Sequence, residues 1–312
     1  MPDRAWVVPA ELHARPLDGV IRALAAVPWS EARRLVRSGK VRVAGETWTD
    51  PQRAVRAGAP LSLHLRAPAP RVARVRALEA DLFAWVDAAV AVVRKPAGMS
   101  TVPFGDEPEE ELTLDALVRE ALARRDAIRG RAPLGVVQRL DKGTSGLVVF
   151  ARTVAAKRHL AQQLRKHTML RRYLAIAHGD VAAATIRSHL VPDRGDRLRG
   201  SAPEGRREGQ LAVTHVERLE RLDGATLVAC RLETGRTHQI RIHLAEAGHP
   251  IVGETVYTRG FAGPIVPAPR PMLHAAELGF EHPTSGRAMR FEMPPPADFE
   301  ETLQRLRRPR RR

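Results

Sequence analysis

The sequence predicts an α+β protein in two parts, a small mixed unit near the N-terminus and a larger domain built on a mixed sheet. Its 312 residues amount to about two domains at roughly 150 residues each. Apolar runs of strand length alternate irregularly with a few helical stretches, which argues against a regular βαβ repeat. A stretch over 67–82 containing Pro68, Pro70 and several arginines reads as the linker between the parts. A hydrophobic fraction of 44% beside 28% charged residues supports a buried core and excludes disorder of the whole chain.

The first unit spans 14–66. Leu17, Val20, Ile21 and Leu24 have the i, i+3, i+4, i+7 spacing of a short amphipathic helix. Ser30 is a suitable N-cap for a second helix carrying Leu35 and Val36, and Gly39 suits its left-handed end. Val41 and Val43 alternate as in a strand, Ala44-Gly45 makes a turn, and Leu61, Leu63 and Leu65 alternate again. Arg33, Arg34, Arg37 and Lys40 cluster on and after the second helix, where they could follow a phosphate backbone.

The second unit spans 83–300. Ala89–Val93 reads as a strand closed by Lys95-Pro96-Ala97-Gly98, and Leu112–Leu122 as a helix. Val136–Leu140 and Leu147–Phe150 are buried-strand candidates on either side of a polar loop. Ala155–Arg165 is helical in composition, while Tyr173–Ala177, Ala225–Leu232 and Ile240–Leu244 read as strands. Residues 301–312 read as a disordered basic tail.

Charge narrows the function. Fifty-one Lys and Arg against 35 Asp and Glu leave +16, with an isoelectric point near 11.3. That surplus points to a polyanion, and to nucleic acid over an anionic membrane because no long basic amphipathic helix stands out. Base-composition bias accounts for the scarcity of lysine, five of the 51, but not for the sign of the net charge. The single cysteine, Cys230, excludes an internal disulfide and a Cys-rich zinc site. No apolar run has membrane-spanning length and the start shows no export signal, so a cytoplasmic, metal-free, monomeric protein is expected. Phosphate-loop and dinucleotide glycine motifs do not occur.

Two stretches hold the candidate chemistry. In Gln138-Arg139-Leu140-Asp141-Lys142-Gly143-Thr144-Ser145-Gly146, a carboxylate follows an apolar strand and precedes a loop whose amides can orient it. These are also ordinary turn residues, so a plain hairpin loop fits the same composition. In Thr234-Gly235-Arg236-Thr237-His238-Gln239-Ile240-Arg241-Ile242-His243, a strand would put Gln239, Arg241 and His243 on the face opposite Ile240 and Ile242, offering Arg241 to a cleft. A solvated basic edge strand is the plainer reading. His238 and His243 would then point apart, which makes them poor metal ligands.

Together these stretches resemble the RluA-type RNA pseudouridine synthases, whose signatures are Arg-Leu-Asp before a Thr-Ser-Gly loop and Gly-Arg-Thr-His-Gln-Ile-Arg, here Gly235 to Arg241. Lys95 to Gly98, Arg172-Tyr173-Leu174-Ala175, His249 to Gly253, Leu273-His274-Ala275 and His282-Pro283 agree in order. Residues 30–43 and the strand from Gly58 to Leu65 resemble the S4 RNA-binding module. The resemblance implies a mainly antiparallel central sheet split by a basic cleft, and conversion of uridine to pseudouridine in RNA without cofactor or metal. Large-subunit (23S) ribosomal RNA is the expected target, with transfer RNA the alternative.

By the same resemblance Asp141 is the catalytic carboxylate, Arg241 its partner, and Tyr173 the ring against the base. Arg139 fills the place of the extruded nucleotide. Lys95, Thr144, Arg236, His238 and Gln239 are expected to contact substrate, and Arg33, Arg34, Arg37 and Lys40 to contact RNA from the S4-like unit. Gln138, Gly143 and Glu254 depart from the usual His, Asp and Asp of the family. The competing reading, an RNA-binding or ribosome-assembly factor without the reaction, gives no reason for Asp141, Tyr173 and Arg241 to occur together.

Overall fold

The structure, a computed structural model, describes residues 3–65, 81–103, 112–202 and 208–307. It divides near residue 80 into two compact units. The first holds β1 (Arg4–Val7), α1 (Leu17–Ala25), α2 (Trp29–Arg37), β2 (Val41–Val43), β3 (Glu46–Thr47) and β4 (Pro60–Leu63). Its antiparallel sheet runs β1-β4-β2-β3. The predicted helical stripe of Leu17, Val20 and Ile21 packs with Leu35, Val36, Val41, Val43, Leu61 and Leu63 into one core. Ala44 (φ 51°) and Gly45 (φ 84°) both take positive φ, the two-residue turn whose twist matches a hairpin. Ser30 does not cap α2. The helix already begins at Trp29, because Pro28, with φ −61° and ψ 158°, sets the entry one residue earlier.

In the second unit the strands are β5 (Phe83–Val86), β6 (Val90–Lys95), β7 (Gly135–Val136), β8 (Ser145–Ala151), β9 (Leu170–His178), β10 (Ala184–Val191), β11 (Gly200–Ser201), β12 (Gln210–Leu222), β13 (Ala225–Leu232), β14 (Leu273–Glu281) and β15 (Ala288–Glu292). They form an 11-stranded sheet ordered β11-β10-β12-β13-β9-β14-β8-β6-β5, with β15 on β14 and β7 on β8. Among the described residues only the β8–β14 pair is parallel, so the sheet is mixed and mainly antiparallel, as expected. The helices are α3 (Leu114–Arg125), α4 (Val154–Arg165), α5 (Gln239–Glu246) and α6 (Ala297–Arg307). Thr153 caps α4 by accepting the Ala156 N–H at 3.1 Å. Leu160 of α4 packs with Val90, Val92, Leu147, Val149, Leu278 and Phe280 under the sheet.

At the parallel junction the Thr-Ser-Gly loop lies beside Leu273-His274-Ala275: Ser145 pairs with His274 and Gly146 with Ala275, and Ser145 Oγ is 2.9 Å from His274 Nδ1. Gly146 has φ +124°, and a Cβ there would lie 2.3 Å from the Ala275 carbonyl oxygen. Only glycine permits both that backbone angle and that approach.

Three expectations are corrected. Ile240–Leu244 is not a strand but the body of α5. The alternating isoleucines mimic a two-residue period, yet every side from Gln239 to Leu244 is buried, so no polar face remains to reveal the helix. Val136–Leu140 is a strand only at Gly135–Val136; beyond it Leu140 is held through the Thr101 hydroxyl, which donates to its carbonyl at 2.8 Å and accepts its N–H at 3.0 Å. The tail does not begin at 301, because α6 continues to Arg307 and buries Phe299, Thr302, Leu303 and Leu306. Residues 308–312 lie outside the described residues, as does the expected linker except for Asp81 and Leu82.

Candidate active site

Asp141 ends the extended segment pinned at Leu140, and its carbonyl accepts the Thr144 N–H at 3.0 Å, which closes the turn. Beneath the turn, Lys95 is fully buried. Its Nζ donates to the carbonyls of Thr144 (2.7 Å), Pro96 (3.0 Å) and Lys142 (3.2 Å). Burial lowers its ammonium to about 7, against the pull of the Asp141 carboxylate. The chain wraps around Lys95, which ties the loop to the end of β6. Arg270 holds the same loop from its other side, donating to Gly143 O at 3.1 Å and pairing with Asp298 of α6 at 2.6 Å.

Asp141 keeps a quarter of its side chain exposed, and its Oδ2 is 3.4 Å from Arg241 Nη1. The helix makes this possible. Arg241 lies in the first turn of α5, after His238 takes a left-handed conformation (φ 59°). Gln239 is buried and ties that turn down. Its Oε1 accepts from Thr234 Oγ1 (2.8 Å) and the Arg236 N–H (3.0 Å), while Nε2 donates to Val213 O and Thr214 Oγ1 at 3.0 Å each. Where substrate contact is expected, both ends of its amide are taken by the protein. Thr144, 2% exposed, is likewise inside the loop rather than on its surface.

The strongest bonds to Arg241 come from a residue whose role was not read from the sequence. Glu254 accepts Arg241 Nε at 2.7 Å and Nη2 at 2.8 Å, and takes the N–H groups of Thr255 and Val256 at 3.0 and 2.8 Å. Burial pushes its carboxyl upward, but the bonds and charge of Arg241 with the backbone N–H groups outweigh that and hold it below its ordinary value. The Arg241 guanidinium also lies over Tyr257, 5.2 Å from the ring centre. The Tyr257 hydroxyl is 2.6 Å from His238 Nδ1. The other His238 nitrogen is 3.9 Å from Asp141 Oδ1. Burial lowers the imidazole below its ordinary value, against the pull of Asp141. Two signals could have found these residues: Glu254 directly follows the His249–Gly253 motif, and Tyr257 is one of only two tyrosines in the chain.

The other tyrosine, Tyr173, sits on β9 opposite Ala275 and Cys230 and is 8% exposed. Burial raises its phenol, with the charge of Arg171 opposing the rise and the Asp141 carboxylate adding to it. Arg139 is exposed, and Arg236 is half-buried, with Nε donating to Leu211 O at 3.0 Å. In the N-terminal unit Arg33 pairs with Asp18 at 3.0 Å and Arg34 with Glu31, while Arg37 is exposed and Lys40 half-buried. A hollow of about 530 Å³ between α4, β14 and β15 shares no residue with the Asp141 cluster.

One buried Arg bound on one side by a carboxylate and facing a second, partly exposed carboxylate on the other is an arrangement for keeping an anion in place at a surface. The sequence comparisons give it a context. A family model described as RNA pseudouridylate synthase matches residues 89–246, and an S4 domain model matches 15–61. The chain belongs to the RNA pseudouridylate synthase family. It is an RNA pseudouridine synthase with an S4 domain at its N-terminus. It is 37% identical over 245 residues to the ribosomal large subunit pseudouridine synthase D of Zymomonas mobilis, covering 75% of each chain. To the protein of the same name from Xanthomonas campestris it is 34% identical over 319 residues, covering 97% of this chain and 92% of that one. The solved structure of human RNA pseudouridylate synthase domain containing 4 shares the fold, with a TM-score of 0.61 at 21% identity over 75% of this chain and 96% of that one. No helix among the described residues is long and apolar enough to cross a membrane.

Proposed function

We propose that this enzyme isomerises uridine to pseudouridine in large-subunit ribosomal RNA, with Asp141 as the catalytic carboxylate, Arg241 its fixed counter-charge and Tyr173 the ring beside the base. The observation that carries the reading is the Asp141–Arg241 contact at 3.4 Å, made by a guanidinium that Glu254 prevents from swinging away. In the reaction the bond from N1 to C1′ breaks, C5 joins C1′, the C5 proton is lost and N1 gains one. A carboxylate serves either by attacking C1′ or by taking the 2′ proton, and both need its ionised form. Arg139 is exposed and makes no ion pair or hydrogen bond among the described residues, so it is available to occupy the gap an extruded nucleotide leaves. Arg236 and His238 remain accessible to substrate from the rim, and Arg37 leads the RNA contacts of the S4 domain. The names of the relatives support ribosomal RNA as substrate, and a cytoplasmic location is the reading that goes with such a substrate.

The test is tritium release from RNA carrying 5-tritiated uridine. Asp141→Asn is expected to lose at least about a thousandfold of the activity while still binding RNA; retained release removes Asp141 from the mechanism. Pseudouridine mapping of ribosomal RNA with and without the gene assigns the target, and an unchanged large-subunit map rejects it.

A further inference from the structure

Arg171 is a charged side chain for which the described residues supply no ion-pair partner. It is 6% exposed, and no carboxylate lies within ion-pair distance of it among the described residues. Nη2 donates to Glu233 O at 2.7 Å, and Nε is buried without a partner. Nη1 makes no hydrogen bond to a described residue and lies against Gly235, where an added Cβ would come within 2.6 Å of it. The carboxylate of Glu233 turns instead to His215, at 2.6 Å. Arg236 directly follows the Gly235 that Nη1 lies against; burial lowers the Arg171 guanidinium, Tyr173 opposes this and the charge of Arg236 adds to it. Arg236 too donates only to a neutral carbonyl. Two like charges beside each other, one of them buried, are costly unless an anion joins them. Arg171 and Tyr173 are alternate residues of β9 and share its buried face, about 7 Å apart along the strand.

We propose that Arg171 and Arg236 form a binding site for a backbone phosphate of the RNA, beside the nucleotide held at Tyr173, with Gly235 left bare so that Arg171 Nη1 can reach it. The site fixes the register of the strand next to the target base, as phosphate contacts do, without reading sequence. Guanidinium forks suit phosphate oxygens, and free RNA-facing donors explain why neither arginine is given a carboxylate. This inference rests on the proposed active site only for its location.

The experiment separates the two. Full-length Asp141→Asn protein, which binds without turnover, is titrated with a fluorescein-labelled RNA hairpin bearing a uridine loop, from about 50 to about 200 mM KCl. Adding Arg171→Gln is expected to weaken binding about ten- to hundredfold and to make the slope of log K against log salt shallower by about 0.7. Arg171→Lys should restore the slope but not the full affinity. An unchanged slope and affinity in Arg171→Gln overturns the proposal. If that variant does not fold, Arg171→Lys and Gly235→Ala decide, and affinities within about twofold of the parent in both overturn it. Failure here leaves Asp141 untouched, because binding alone is read; tritium release by Asp141→Asn would remove the catalytic assignment without altering the slope.

Discussion

Glu254→Gln isolates what holds the reactive pair together. The substitution keeps size and shape, so the backbone N–H groups of Thr255 and Val256 still find an acceptor. The amide also presents an NH₂ group, and one of the two arginine nitrogens now 2.7 and 2.8 Å from a carboxylate oxygen then faces a donor instead. The side chain of Glu254 is fully buried and that of Arg241 only 10% exposed, so water cannot replace the lost bond. Removing one partner of a buried pair costs about 3–5 kcal/mol. Asp141 remains as a second anion at 3.4 Å, which keeps the loss near the lower bound of about 3 kcal/mol. In a domain of this size that is roughly a 6–12 °C fall in Tm. Arg241 is then free to swing away from Asp141, and the carboxylate loses its fixed counter-charge. A fall in kcat of about ten- to a hundredfold, or about 1.4–2.8 kcal/mol in the barrier, is expected with little change in KM. Scanning calorimetry and tritium release read the two effects. A variant with Tm within about 2 °C of the parent and unchanged kcat would refute the view that Glu254 positions Arg241.

Other outcomes follow from the same geometry. Lys95→Met takes the ammonium donor from the carbonyls of Thr144, Pro96 and Lys142, of which Lys142 O keeps the Gly98 N–H, and a loss of about 1–3 kcal/mol with a fall in activity is expected on urea titration and turnover; a stable, active variant would show that the loop does not depend on the ammonium. Gly146→Ala drives a Cβ to 2.3 Å from a backbone oxygen at φ +124°, so the purified protein should lose several degrees of Tm, and an unaltered melt would contradict the close β8–β14 approach. His243 lies between Thr214 Oγ1 (2.9 Å) and Ser188 Oγ (3.1 Å), and burial lowers it to about 4. The unfolded chain takes up that proton near pH 6.5 and the folded one only near 4. Stability therefore falls by about 3 kcal/mol as pH drops through this window and is constant above it for this group. Denaturant titrations of wild type and His243→Gln at both ends of the window should differ by that amount, and parallel curves would exclude the histidine as the cause.

Much of this was legible from local pattern. Strand Ala225–Leu232 and the helix beginning near Ala155 announce themselves through an apolar run and helix-forming composition, which are local effects. The motifs around Asp141, Tyr173 and Arg241 were legible as chemistry because each is contiguous. Helix α5 was not, since hydrophobic period reports a helix only when one side faces water, and here the whole segment is enclosed.

By itself, the chain determined the two-part α+β plan and the basic character suited to RNA, both properties of residue type and short spacing, while the pairing of Asp141 with Arg241 came from the motifs that resemble the family. Tertiary structure alone decided that Lys95 and Gln239 face inward as scaffolding, that Glu254 rather than Asp141 makes the closer bonds to Arg241, and that Arg171 is buried without a carboxylate. Those facts depend on which backbone carbonyls and side chains meet across more than ten residues of chain, and burial and pairing at such distances leave no periodic trace in the order of amino acids.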